Sequence, residues 1–295
     1  MKGKDLFGVA FLAARKVPCI LKFMDRKRVA TIIAAIILLG ICYARTISGM
    51  IYQWTNDEDM GHGFAVPFVM AFIVWRERRR WQTLTPEPNA WGFAFLAMGA
   101  GIQFLSALGT GLFAGSVGFL VSVFGLVVCF GGFRYVKAWA FPLILGLFML
   151  PKLAVVYNQT TLPMQLLASR MAAGLLTVSG FGVIRDGNIL QVGGHSVMVA
   201  EACSGIRYLL PLAFMAVLIG YFADRRVWMR AVMAALAIPL AIVANAVRVA
   251  ASAAVPTLAE GTPHELIGLV IFVFCLGVLM LCCKWLNPTP GSAHA

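Results

Sequence analysis

The chain has 295 residues, 61% of them hydrophobic and 12% charged, with a net charge of +12 and a mean hydropathy of +0.87. A soluble domain would carry roughly 45–50% apolar and about 25% charged residues, so the composition excludes a soluble enzyme and points to a polytopic membrane protein. Long continuous apolar runs exclude a transmembrane barrel, whose strands would alternate instead.

Residues 1–28 are moderately apolar and interrupted by Arg15, Lys16 and Lys22. They read as a basic cytoplasmic segment, with the option of an interfacial amphipathic helix, rather than as a cleaved signal peptide. A membrane-crossing helix needs about 20 mainly apolar residues. Hydropathy predicts eight, at roughly 29–47, 61–75, 90–108, 112–133, 138–156, 205–222, 229–251 and 265–286. The expected fold is therefore an all-α polytopic membrane protein, with residues 29–286 as one transmembrane catalytic domain and 287–295 as a cytoplasmic tail.

Basic residues orient it. Eight precede the first span, four lie in "RERRR", two in "FRYVK" and three in "DRRVWMR", and Lys284 follows the last span. Of the 24 lysines and arginines, only Arg45, Lys152, Arg170, Arg185, Arg207 and Arg248 remain for the other side. That side collects Asp57, Glu58, Asp59, Asp186, Glu201, Glu260 and Glu265. Both termini are thus placed in the cytoplasm, and the loop charges account for the positive balance without nucleic acid.

The longest outer segment runs over about 157–203. Its first half, "NQTTLPMQLLASRMAAGLLTVSGFG", is apolar on a helical period but broken by Arg170, which fits a re-entrant or interfacial helix. Its second half carries the turn signals "DGN" and "GG" around "ILQV" and "SVMVA", which predict a small β-hairpin leading into Cys203.

Seven cysteines are scattered, and none forms a CxxC pair. Most lie in apolar runs and read as small buried hydrophobes. Cys203 differs, standing among Glu201, Ser204 and Arg207 at the start of the sixth span. The seventh span exits outward through "IVANAVRVAAS", with Asn245 and Arg248, and the eighth enters through "GTPHELIGLV", with His264 and Glu265. Helix direction therefore brings Cys203, Arg248 and His264 to one membrane face, although they are far apart in sequence.

Those residue types suit acyl transfer. A cysteine attacks as thiolate, favoured by a helix N-terminus or a cationic neighbour. A histidine can take the thiol proton and later protonate a leaving amine. Arginine stays protonated, so Arg248 suits an oxyanion or a carboxylate, with Asn245 one turn away to orient it. Each residue also has a plainer reading. Arg248 could snorkel to headgroups, His264 could be an interfacial turn residue, and Ser204 could belong to an ordinary helix entry. Glu201 and Arg207 could form an ion pair at the corner or touch substrate. His62, opening the second span between Gly61 and Gly63, could line the same cleft or mark a tight entry. His195 in the "GGHS" turn is expected in solvent. No metal or other cofactor is expected, because ligand pairs such as HxxxH are missing.

The elements "EACSGIR" (Glu201–Arg207), "NAVR" (Asn245–Arg248) and "PHE" (Pro263–Glu265) resemble the exosortase/archaeosortase family of membrane transpeptidases. "HGFAVPFVMAFIVWRERR" (His62–Arg79) and "RDGNIL" (Arg185–Leu190) extend the resemblance, which runs from about 50 to 285. It implies Cys203 as nucleophile, Arg248 as the family's arginine and His264 as the third catalytic position, the histidine matching the bacterial branch. It further implies secreted substrate proteins with a C-terminal sorting signal: a short motif such as Pro-Glu-Pro, a transmembrane helix and a basic end. Cleavage at the motif, and transfer to a surface saccharide or lipid acceptor, would take place at the outer side of the bacterial inner membrane. The competing expectation is a transporter or lipid-linked saccharide handler in which Arg170, Arg207 and Arg248 hold an anionic headgroup.

Overall fold

The computed structural model describes residues 26–199, 205–223, 226–258 and 261–286. It is mostly helical with one small sheet. Four helical runs are long and apolar enough to cross a membrane: Trp91–Gly131, Ile206–Ala223, Val227–Ala254 and Gly261–Leu286. Two further helix pairs raise this to six if each is one span: Arg26–Cys42 with Ala44–Asn56, and Ala140–Met149 with Ala154–Val178. The second pair is interrupted at Pro151 in the segment Leu150–Leu153, where proline cannot donate to a continuing helix. The protein is thus a multi-pass helical membrane protein, with four to six spans by length and composition where hydropathy predicts eight.

The described chain divides into two units, one holding residues 26–52 and Phe64–Pro151, the other Gln53–Gly63 and the part from Lys152 onward. In the first, α1 (Arg26–Cys42) and most of α2 (Ala44–Asn56), whose end from Gln53 belongs to the second unit, are followed by α3 (Ala65–Arg76), the short α4 (Arg78–Trp81), α5 (Trp91–Leu105) and α6 (Gly111–Gly131). The run Trp91–Gly131 turns back on itself: Gly109 and Gly111 have φ of 119° and 87°, open to glycine at little cost. The two helices then pack backbone to backbone. A Cβ at Gly99 would fall 2.7 Å from the carbonyl oxygen of Gly118, and one at Gly118 2.8 Å from that of Gly99. Small residues at such crossings replace the missing hydrophobic drive between helices in lipid. Polar pairs add to this: Tyr43 and Ser122 hydroxyls at 2.8 Å, and Thr46 Oγ1 donating to Gln103 Oε1 at 2.9 Å. α7 (Phe133–Ala138) and α8 (Ala140–Leu145) complete this unit.

The second unit is built around α11 (Val227–Ala254), with α9 (Ala154–Val178), α10 (Ile206–Ala223) and α12 (Gly261–Leu286) against it. Met229, Met233, Ala237 and Ala241 recur every four residues and pack with Leu212 and Ala216 of α10 and Cys275 and Leu279 of α12. Further along, Val249, Ala250 and Ala253 meet Ala168 and Ala172 of α9 and Leu190 and Val192 of the sheet.

The sheet has three antiparallel strands in the order β1 (Val183–Asp186), β2 (Ile189–Val192), β3 (His195–Met198). Gly187 stands in the first turn, and Gly193 and Gly194, both at positive φ, make the second. The expected hairpin is therefore extended by a strand, because "VIRD" pairs Val183 with Val192 and Asp186 with Ile189. His195 is half-buried rather than in solvent, its Nε2 donating to the Ala253 carbonyl at 3.1 Å. The segment expected to be re-entrant or interfacial is the 25-residue α9, which ends against this sheet.

Candidate active site

α11 carries Asn245 and Arg248 on its buried face, where their side chains stay only 1% and 2% exposed. The Arg248 guanidinium lies over the Tyr208 ring at 5.1 Å, a cation–π contact. Its Nε and Nη1 are buried and meet no hydrogen-bond acceptor among the described residues. Such donors are costly to leave without a partner. Arg248 also lines a cavity of about 430 Å³. Room for the guanidinium comes from α12: a Cβ at Gly268 would collide with the Tyr208 hydroxyl and lie 3.4 Å from Arg248 Cζ.

The same cavity is lined by His264 and Glu265 of α12, Arg207 and Tyr208 of α10, and Glu58, with Pro211, Leu269 and Phe272 as its apolar walls. His264 is oriented by its backbone surroundings. Its Nδ1 donates to the Leu258 carbonyl at 3.0 Å, since a carbonyl oxygen only accepts. In the neutral ring the lone pair then sits on Nε2, the nitrogen suited to take a proton.

Arg207 pairs with Glu58. Glu58 is held at the rim by its neighbours: Lys152 Nζ lies 2.8 Å from Asp57 and 2.6 Å from Asp59, and the Tyr157 hydroxyl donates to Asp59 at 3.1 Å. At the start of α10, Gly205 has φ of 86° and touches Asn245; a Cβ there would lie 3.1 Å from Asn245 Cβ. The entry of α10 is thereby fixed on the helix that carries Arg248.

Of the residues singled out by sequence, Arg248, His264 and Arg207 meet at this cavity, and Asn245 supports it from α11. Glu201, Cys203 and Ser204 lie outside the described residues, as does any pairing of Arg207 with Glu201. His62 is not among the cavity's lining residues; its ring packs tilted on Phe214 at 6.2 Å. Tyr208, Gly268 and Glu58 were not legible as site residues, since each joins through a tertiary contact. The one available hint was Gly268, a glycine inside an apolar helix where it costs about 1 kcal/mol against alanine. Among the described residues there is no group of three or more His, Cys, Asp or Glu arranged to hold a metal ion.

Comparison with known proteins gives one family. The model of the transmembrane exosortases matches residues 54–281, a range containing all three motifs named above. No curated protein and no solved structure matches the chain. Because the match spans well over half of the sequence, and the helical membrane architecture agrees with it, the chain belongs to the transmembrane exosortase family.

Proposed function

We propose that this protein is a membrane-embedded cysteine transpeptidase that cleaves C-terminal sorting signals of secreted proteins and passes the new C-terminus to a surface acceptor. The observation that carries the reading is the meeting of Arg248 and His264 at one cavity, beside the helix entry at Gly205, two residues after Cys203.

The chemistry follows from those groups. His264 Nε2 takes the Cys203 thiol proton, leaving a thiolate beside an imidazolium. The thiolate attacks the scissile carbonyl carbon, and the carbonyl electrons move to oxygen. Arg248 offers Nε–H and Nη1–H to that oxyanion, in a setting where water competes little. Collapse breaks the C–N bond, and the imidazolium gives its proton to the departing amine. The thioester left on Cys203 is resolved by an acceptor amine or hydroxyl, or by water. No step calls for a metal or other cofactor.

The charge distribution supports placing this site on the extracytoplasmic side of the bacterial inner membrane, with both termini in the cytoplasm and eight crossings. Two of the eight would come from the hairpin of α5 and α6. The substrate's own transmembrane helix would dock in the bilayer, bringing its motif to the outer end of α10 to α12. A tagged substrate co-expressed with Cys203→Ala should stay at precursor mass; maturation to the usual mass would sink the proposal.

A second reading, an anion-binding transporter or lipid-linked saccharide handler, is favoured by Arg207 and Arg248 lining one cavity. Arg170, the third arginine it needs, is exposed on α9 and does not line that cavity. It predicts that Cys203→Ser keeps function while Arg248→Ala loses it.

A further inference from the structure

We infer that Ser252 is a positioning residue for His264, acting through the carbonyl oxygen of Leu258. The inference rests on the proposed pairing of His264 with Cys203. The Leu258 oxygen accepts two hydrogen bonds, one from His264 Nδ1 at 3.0 Å and one from Ser252 Oγ at 3.1 Å. The first selects the tautomer with its lone pair on Nε2 and fixes the ring plane, a task that a buried carboxylate performs in many hydrolytic triads. A carbonyl can do this only if it is itself held. Leu258 ends a three-residue turn, Pro256–Leu258, with little regular structure of its own to anchor it.

Ser252 supplies the anchor. It is buried, 6% exposed, in the last turn of α11. Hydroxyls inside helices usually bond back to the carbonyl four residues earlier. Ser116, Thr160, Thr161 and Thr177 of this protein all do so. Ser252 instead reaches six residues forward, out of its helix, to the oxygen that His264 uses. It also stands one turn beyond Arg248 on the same helix. The buried face that aims the guanidinium therefore sets the imidazole as well, and the two groups keep a common register. The charged and titratable groups sharing the cavity with His264 are Arg207, Arg248, Tyr208, Glu58 and Glu265; changes at Ser252 leave all five in place.

Alkylation of Cys203 by iodoacetamide tests the idea without a substrate, because only the thiolate reacts. The other cysteines (Cys19, Cys42, Cys129, Cys275, Cys282 and Cys283) are replaced by alanine, and rates are read by mass spectrometry from about pH 5.5 to 9.5. In the Ser252-containing chain, paired with His264, alkylation should persist well below the pH expected of a free thiol. Ser252→Ala should slow it about tenfold near neutral pH, and Ser252→Thr, which keeps the hydroxyl, should restore it. Thermal midpoints should change little. If His264→Ala shifts the profile and Ser252→Ala does not, the positioning role is wrong while the pairing stands. If neither shifts it, the thiol–imidazole pairing itself is wrong. Unfolding of Ser252→Ala, or a Thr variant as slow as Ala, would assign the hydroxyl to the fold alone and overturn the inference.

Discussion

Gly205 rests against Asn245, so close that a Cβ on the glycine would stand 3.1 Å from the asparagine Cβ and 3.2 Å from its Nδ2. Its φ of 86° adds a backbone conformation that other residues adopt at a cost of roughly 1–2 kcal/mol. This contact, two residues after Cys203, sets where α10 begins relative to the helix carrying Arg248. Gly205→Ala should lower the thermal midpoint modestly and processing by much more, at least tenfold, as expected when reacting groups are misplaced by a fraction of an ångström or more. Assaying membrane-extracted protein for both quantities checks the disproportion.

Gly268→Ala separates helix stability from site geometry. Alanine favours the helix by about 1 kcal/mol over glycine. The new methyl, however, meets the Tyr208 hydroxyl and presses on Arg248. The tyrosine can swing away, since the colliding atom is at its far end, but the guanidinium then loses its aromatic seat. Processing should fall by an order of magnitude or more while the unfolding midpoint moves little. Retained processing would show that Arg248 needs no such support.

Lys152 neutralises Asp57 and Asp59, and all three side chains are largely shielded from water. Lys152→Met would leave two carboxylates facing each other without their cation. Removing one partner from a buried ion cluster costs about 3 kcal/mol. A clear drop in the unfolding midpoint is expected, and Asp57→Asn with Asp59→Asn in the same chain should recover part of it. Since these residues hold the loop bearing Glu58, the single variant should loosen the Glu58–Arg207 contact too.

The Glu58–Arg207 pair is different, because the Glu58 side chain is 67% exposed. Exposed pairs are worth about 0–1 kcal/mol, so neither Glu58→Gln nor Arg207→Gln should change stability noticeably. If Arg207 touches substrate, Arg207→Gln alone should weaken processing, mainly through KM, whereas Glu58→Gln should leave it equal or faster. Equal effects of both variants would make the pair a corner brace.

How much of this was legible beforehand depended on which physical rule each residue obeys. Arg248 and His264 could be brought together from sequence because membrane helices have a fixed length and direction, so charge in alternate loops decides the level of each end. Partners across helices obey no such rule. Tyr208 sits one residue after Arg207 in an apolar run, and nothing in its neighbours says that its ring lies under Arg248 rather than in lipid. Ser252 resembles any helix serine until Leu258 is seen beside it. The strand Val183–Asp186 hid for another reason: its burial runs from half-buried to exposed, with no apolar alternation to mark it. The interrupted helix at Pro151 was signalled by its proline, yet hydropathy averages across such a break and reports one continuous span.

The central claim is a thioester on Cys203, and its most direct measurement is the mass of the peptide containing Cys203 after co-expression with a tagged substrate. The proposal predicts an added mass equal to the substrate's acyl portion, the part N-terminal to the cleaved bond that ends in the new C-terminus, less one water, released by neutral hydroxylamine and missing in Cys203→Ser. Full substrate maturation by the Cys203→Ser chain, with no labile adduct in either protein, would contradict it.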